Sequence, residues 1–243
     1  PLGGAVNPYY TRFGTRKADP EESTVYEIGL KGRWPRAAMY VALFDQTIKG
    51  FQDNTFRGTG FVLSNAGKQS TKGIEIETQF QVTDNWRVDL AATLLDPTFD
   101  SYVGAPSPCS GRNTDLTGQR PLNVHDTSVS LALNYAWSIG EVDGFVRADY
   151  DYQDNTLVSR HEQATSNCAA VPPTNTFDTF REVGVINASV GFSVNSWDLL
   201  VWGRNLNDDE YIVQTFPSVA QQFSVSGYPN QPRTFGVSVR KNF

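Results

Sequence analysis

From about residue 24 to its end, the chain alternates apolar and polar residues with period two, in run after run. Residues two apart share a face of an extended strand, so the pattern specifies strands with one apolar and one polar side. In 73–82, Ile74, Ile76, Phe80 and Val82 share one face, and Glu75, Glu77, Gln79 and Gln81 share the other. Runs at 86–94, 128–137, 146–152 and 186–194 repeat this. The last run sets Phe235, Val237, Val239 and Phe243 against Thr234, Gly236, Ser238, Arg240 and Asn242. Two architectures accept such strands. One is a soluble sheet with its apolar face on a core, and the other is a membrane barrel with that face in lipid and a polar lumen.

The order of strands and connections separates the two. About nine strands are expected, near 22–34, 37–53, 70–82, 86–102, 123–137, 144–160, 181–194, 197–207 and 232–243. The run at 37–53 alternates least clearly, and Tyr40, Ala42 and Phe44 are assigned to its outer, apolar side. The connections alternate between short and long. Short ones fall at 35–36, 83–85, 138–143 and 195–196; long ones, rich in Gly, Pro, Ser, Asn and Thr, cover 54–69, 103–122, 161–180 and 208–231 and read as loops. Short turns on one rim and long loops on the other are the layout of outer-membrane barrels. Trp34, Trp86, Trp137 and Trp197 each abut a short turn on the apolar side of their strand. Four indoles at one end fit an interfacial girdle, where the ring is half buried and the N–H stays wet. Tryptophans of a sandwich core would scatter in depth. Nine or ten residues at about 3.3 Å each, tilted by about 40°, span roughly 23–25 Å, the height of a barrel's apolar band.

The polar side carries Glu75, Glu77, Arg87, Asp89, Arg147, Asp149, Asp151, Arg204 and Arg240, which are expected to face the lumen. Stranding so many charges in a dry core would cost several kcal/mol per ion before pairing. A wet lumen removes that cost, and carboxylates could pair with arginines on the next strand. Ile74, Ile76, Phe80, Val237, Val239 and Phe243, with the four tryptophans, are expected to face lipid.

Composition closes off other classes. A mean hydropathy of −0.38 suggests solubility, but half of each barrel strand is polar, so the average does not decide. No apolar run approaches the roughly 18–20 residues of a membrane helix. The net charge of −6 and the lack of a Lys/Arg cluster argue against nucleic acid as a partner. Cys109 and Cys168 lie in loop-like segments, which suits a disulfide in an oxidising compartment; two unpaired thiols are the alternative. The chain starts at Pro1 without a visible signal peptide, so it reads as cleaved or as a piece of a longer protein. Phe243, in contrast, reads as a natural end.

Several local patterns then resemble the C-terminal barrel portion of TonB-dependent outer-membrane receptors. Pro20-Glu21 followed by Val25-Tyr26-Glu27-Ile28-Gly29-Leu30-Lys31 is similar to the segment that starts a descending strand in that family. Lys72-Gly73-Ile74-Glu75-Ile76-Glu77 resembles its Gly-x-Glu-x-Glu strand, with an ascending end at 96–102. Thr117-Gly118-Gln119-Arg120-Pro121 resembles an outer-loop segment. Asn205-Leu206-Asn207-Asp208-Asp209-Glu210-Tyr211 resembles the penultimate-strand pattern, and 233–243 the closing strand. The order and spacing of these patterns carry the resemblance; none is specific alone.

The resemblance implies an all-β, antiparallel transmembrane barrel of 22 strands, of which 22–243 would supply about nine. Residues 1–21 would be an extracellular loop segment. The plug and TonB box of the family are not recognisable in the chain. Nine strands cannot close as a plain antiparallel barrel, so a curved open sheet with two edges is expected, near Tyr26 and Val237. The implied protein is an outer-membrane receptor of a Gram-negative bacterium that imports a scarce solute, most commonly a ferric siderophore, with energy delivered through TonB. Its implied partners are outer-membrane lipid, the TonB complex through the N-terminal region, the barrel assembly machinery through the C-terminal strand, and a small-molecule or metal-chelate ligand. A passive porin-like channel and a soluble secreted carbohydrate-binding domain are the alternatives.

No catalytic constellation stands out, and neither a cofactor nor a metal site is expected. His125 and His161 lack the further ligands a zinc site needs. The paired carboxylates Glu75/Glu77 and Asp149/Asp151 repeat along a whole face, which suits a lining rather than acid–base chemistry. Ligand contacts are assigned by position to Arg112, Arg120, His161, Arg181, Tyr211 and Phe216, where arginine would suit an anionic chelate. A Cys109–Cys168 bridge would tie two outer loops.

Overall fold

The computed structural model of the chain describes residues 18–57, 60–106, 113–159, 179–217 and 225–243. In chain order its strands are β1 (Glu22–Trp34), β2 (Ala37–Lys49), β3 (Gln52–Arg57), β4 (Gly60–Asn65), β5 (Lys68–Gln81), β6 (Trp86–Ser101), β7 (Val103–Pro106) and β8 (Asn113–Asp115). They continue as β9 (Thr127–Ile139), β10 (Val142–Ser159), β11 (Thr179–Val194), β12 (Trp197–Arg204), β13 (Ile212–Pro217), β14 (Val225–Pro229) and β15 (Thr234–Lys241). Nine of these form one antiparallel sheet in the order β1-β2-β5-β6-β9-β10-β11-β12-β15. The sheet is open, with β1 and β15 as its edges. The other six make three two-stranded hairpins, β3–β4, β7–β8 and β13–β14.

Those hairpins correct the sequence reading, which took the long segments as loop. Gly, Ser, Thr and Asn mask the alternation there, and each pairing is local to its own connection. The second strand also ends sooner than expected, at Lys49, where Gly50 takes a left-handed backbone (φ 62°). The two cysteines lie outside the described residues. The short turns stand where they were expected. At 195–196, Asn195 has φ 52°, which asparagine tolerates and a tight two-residue hairpin requires.

The register lines up side chains in rows across the sheet. On one side run Leu30, Val41, Ile76 and Ala92, then Ile28, Leu43, Ile74 and Leu94. The next row, Tyr26, Asp45, Lys72 and Asp96, is charged, so the apolar side ends at one level across four strands. Tyr40, Ala42 and Phe44 lie on the opposite side. Tyr40 is level with Lys31 and Glu77, and Ala42 with Glu75. This reverses their assignment from sequence. Every residue of 39–44 is apolar or aromatic, so alternation alone could not orient the strand; its neighbours' register does.

The four turn-abutting tryptophans descend this lattice in steps. Trp34 is level with Val88, and Trp86 sits one row lower, level with Tyr135 and Val146. Trp137 is one row below that, with Gly144 and Phe192, and Trp197 one further, with Val194 and Val142. Three rows are six residues, about 20 Å, across seven strand spacings, about 34 Å. The line through the indoles is therefore inclined by about 30°, near the strand tilt of about 35–45° in closed outer-membrane barrels. Tyr26 and Tyr152 each stand four rows above this line on the same side.

Little of the sheet is buried in a core. In central strands, Leu133, Val146, Ile186 and Val201 on the apolar side remain about 40% exposed. Among the described residues no second sheet covers them. Aromatic rings fill the lattice instead, each lying over a glycine directly opposite: Phe44 over Gly73, Trp137 over Gly144, Phe145 over Gly191 and Trp202 over Gly236. A Cβ on Gly144 would sit 2.4 Å from the Trp137 ring. Gly144→Val should therefore expel that indole and destabilise the sheet by about 1–3 kcal/mol, as overpacking does. Tryptophan emission and the urea midpoint of the full-length protein in lipid vesicles would show it; an unchanged midpoint would mean the ring moves freely.

Candidate functional site

The polar side of the sheet is concave. Its middle is lined by Lys31, Arg33, Tyr40, Glu77, Gln79, Asp89, Ser130 and Arg147. The strand pattern places these side chains together: each belongs to the polar half of an alternating strand, and the register brings the halves level.

A continuous polar network crosses four strands here. Asp89 accepts from Gln79 Nε2 (3.0 Å), Arg87 Nε (3.1 Å) and Asn134 Nδ2 (2.9 Å). Arg147 NH1 donates to Asn134 Oδ1 at 3.0 Å, and Arg147 Nε to Asp149. Asp151 accepts from Ser130 Oγ (2.5 Å) and Asn187 Nδ2 (3.5 Å). The ion pairs Arg87–Asp89 and Arg147–Asp149 thus run along a strand, from i to i+2, where cross-strand pairing was expected. The reason is the residue between them. Asn134 is level with both Arg87 and Arg147, and its amide links the two pairs by donating to one side and accepting from the other. Next to this network, the Tyr40 hydroxyl donates to Glu27 (3.0 Å), and the Lys31 ammonium sits 4.7 Å from the Tyr40 ring centre. Arg204 stacks over Trp202, 5.4 Å from the ring centre, and Arg240 is level with Asp198.

At the long-connection end, the candidate ligand residues divide. Arg120 lies in the connection before β9 and Arg181 on β11, and each is engaged internally. Arg120 pairs with Asp126 (2.5 Å) and donates to the Val124 carbonyl (3.2 Å). Arg181 donates to the Val213 carbonyl and so ties β11 to hairpin β13–β14. Tyr211 and Arg204 come together in a small recess with Asn187, Asn205, Asn230 and Gln231. The backbone of Phe216 belongs to β13. Arg112 and His161 lie outside the described residues.

The recess is built by the segment 205–211. Asn205 adopts φ 51° and is 5% exposed. Its Oδ1 accepts from Asp209 N (2.8 Å), and its Nδ2 donates to the carbonyls of Asp209 (2.9 Å) and Gln231 (3.2 Å). Asn207 donates to Gly184 O (2.6 Å) and accepts from Ile186 N (2.9 Å), while Asp209 accepts from Gly184 N (2.8 Å). Side chains here take over the ladder bonds that β12 would have made with β11. The chain can then leave the wall without orphaning backbone groups. Asn230 closes the far side, accepting from Tyr211 N (3.0 Å) and donating to Asp209 O (2.8 Å). The motif was visible in sequence, but this role was not, because its partners lie on other strands.

Asn205→Ala should destabilise the protein by about 2–4 kcal/mol, through unpaired buried groups and an unfavourable left-handed backbone. Asn205→Gly, which keeps only the backbone freedom, should lose less. Thermal unfolding of the full-length protein in detergent measures both, and equal losses would assign the whole effect to the side-chain bonds.

The family model for TonB-dependent receptor-like β-barrels matches residues 2–206. Among solved structures, the chain is similar to the ferric yersiniabactin uptake receptor of Yersinia pestis (TM-score 0.69, 19% identity, 92% of this chain and 30% of that one). It is also similar to a siderophore receptor of Acinetobacter baumannii (0.66, 20%, 93% and 29%). A third is the ferripyoverdine receptor of the Pseudomonas aeruginosa outer membrane (0.66, 16%, 98% and 29%). At these identities the likeness speaks for the fold, and the chain spans about three tenths of the length of those receptors. An open, tilted nine-strand meander with one apolar and one charged face agrees with the family match. The chain belongs to the TonB-dependent receptor family and forms part of its outer-membrane β-barrel.

Proposed function

We propose that this chain is the C-terminal stretch of barrel wall in an active importer of a scarce, large solute, most consistent with a ferric siderophore. The observation that carries the reading is the two-faced sheet within a family-matched barrel: a tilted apolar band on one side and a hydrogen-bonded charge network on the other. The three solved structures compared above are named for uptake or recognition of siderophores. In this reading lipid meets Ile74, Ile76, Phe80, Val237, Val239 and the tryptophan line. The lumen meets Glu75, Glu77, Arg87, Asp89, Arg147, Asp149, Asp151, Arg204 and Arg240. Energy arrives through TonB at a region of the receptor outside these strands, and the assembly machinery takes hold of β15. Arg120, Arg181 and Tyr211 stand at the end where solute arrives, and an arginine there would meet an anionic chelate by charge-assisted hydrogen bonds. Two of the three must exchange an internal partner to do so.

Three outcomes test this. Ile76→Arg should destabilise the full-length receptor in vesicles by about 2–4 kcal/mol, whereas Gln79→Arg on the other face should cost far less; comparable losses would remove the assignment of faces. Iron-starved cells lacking their own receptors should, on expressing the full-length protein, accumulate a labelled ferric chelate. That accumulation should stop when TonB is deleted. Arg181→Ala should weaken chelate binding by about tenfold or more, the worth of one charged hydrogen bond. Uptake that persists without TonB would instead indicate passive permeation.

A further inference from the structure

We propose that hairpins β3–β4 and β7–β8, which rise from neighbouring connections, form one rigid body and move only together. The inference goes beyond the transport reading and does not depend on which solute is carried. Three rings meet between the hairpins. Phe51, at the neck of β3–β4, stacks on Phe99 (5.3 Å between centres, 16° between planes) and meets Tyr102 edge-on (5.1 Å, 83°). Phe99 and Tyr102, at the end of β6 and the start of β7, meet at 5.1 Å and 68°. Phe99, Tyr102 and Ala105 are buried, with Ala66 and Leu116 packed around them.

This is the one apolar cluster of buried residues among the described residues, and it belongs to neither hairpin alone. Polar contacts join the same two partners. The Tyr102 hydroxyl donates to Asp53 on β3. Ala66 N donates to Phe51 O (2.7 Å) and Gly50 N to Gly67 O (2.8 Å), which closes the neck of β3–β4. On the other side, Leu116 N donates to Tyr102 O (3.0 Å), Gly118 N to Phe99 O (2.7 Å), and Phe99 N to Gln119 O (2.9 Å). Tyr102 N donates to Thr117 Oγ1 (3.0 Å). Each hairpin is thus fixed to its own rings, and the rings are fixed to one another. Opening either hairpin alone would put three aromatic faces into water. Any solute or partner that shifts one hairpin therefore shifts the other, and the coupling is reciprocal. Hairpin β13–β14 is anchored separately, through Arg181 on β11.

Amide hydrogen exchange on the full-length receptor in detergent tests this. Phe51→Ala, placed at one neck, should speed exchange in the strands of both β3–β4 and β7–β8 by about tenfold or more, leaving β14 at the wild-type rate. Tyr102→Phe keeps the ring and removes the hydroxyl that bonds Asp53; it should give a smaller rise, again in both hairpins. The double variant should add little to Phe51→Ala, because one cooperative unit is already loosened. Faster exchange confined to β3–β4 in Phe51→Ala, or a rise for Tyr102→Phe in one hairpin only, overturns the proposal. Unchanged exchange in both variants would overturn it equally, since the ring cluster would then hold nothing.

Discussion

Backbone pairing along the nine-strand ladder is the interaction on which the rest of this structure depends. A sheet that faces lipid on one side and water on the other has no interior to collapse into. In hydrocarbon every unpaired N–H or C=O costs several kcal/mol, so the ladder has to be continuous across the membrane span. The register that satisfies it also fixes the tilt. Because the tryptophans descend one row at a time, a line through them and the rows of the ladder cannot both be level, so a level tryptophan line requires leaning strands. The aromatic line continues through ring contacts: Trp86 on Tyr135 (4.7 Å), Tyr135 on Trp137 (5.6 Å) and Trp137 on Phe192 (5.9 Å). At the β15 edge, the Lys241 ammonium sits 5.1 Å from the ring centres of both Trp197 and Phe243.

With the ladder in place, the two faces follow different rules. On the apolar face side chains stay half exposed; rings over glycines supply shape complementarity on both faces, Trp137 over Gly144 on the apolar one and Phe44, Phe145 and Trp202 over theirs on the polar one. On the polar face, charged side chains stay partly exposed and are tied into chains by amides. Arg87–Asp89 and Arg147–Asp149 each leave more than 20% of every side chain exposed. Pairs this open contribute little stability on their own. Their effect is to hold the polar face in a defined arrangement, with Asn134 as the joint.

What the residues disclose in sequence follows from how local each determinant is. Strand β1 spans 22–34 as expected, because its alternation and the Pro35-Arg36 turn are both contained in the segment. The turns at 140–141 and 195–196 are equally self-contained. Strand β2 was given the wrong face because both of its sides are apolar, and only Lys31 and Glu77 on its neighbours orient Tyr40. Hairpin β3–β4 was invisible because its stability comes from Phe99 and Tyr102, more than 30 residues away. The clamp around Asn205 was legible as a pattern and opaque as a mechanism, since Gly184, Ile186 and Gln231 supply its partners. Arg120 could be chosen by type and position, yet its pairing with Asp126 depends on a chain reversal that no periodicity reports.

The asymmetry of the two rims has the same physical root. At the short-turn rim a strand reverses within a few residues, and its last ladder bond satisfies nearly every backbone group. At the other rim the chain must leave the ladder, travel and return, and each departure exposes donors and acceptors that the next strand no longer pairs. Three devices meet that need here. Hairpins β3–β4, β7–β8 and β13–β14 carry their own ladders outward. Asn205, Asn207 and Asp209 pair the departing wall with side chains. The turn at 116–119 folds back to bond the backbone of Phe99 and Tyr102. Among the described residues, the long connections on this rim are therefore extensions of the sheet, and their shape depends on the wall beneath them. A substitution in the wall at Gly184 or Phe99 would reach the rim through hydrogen bonds already in place.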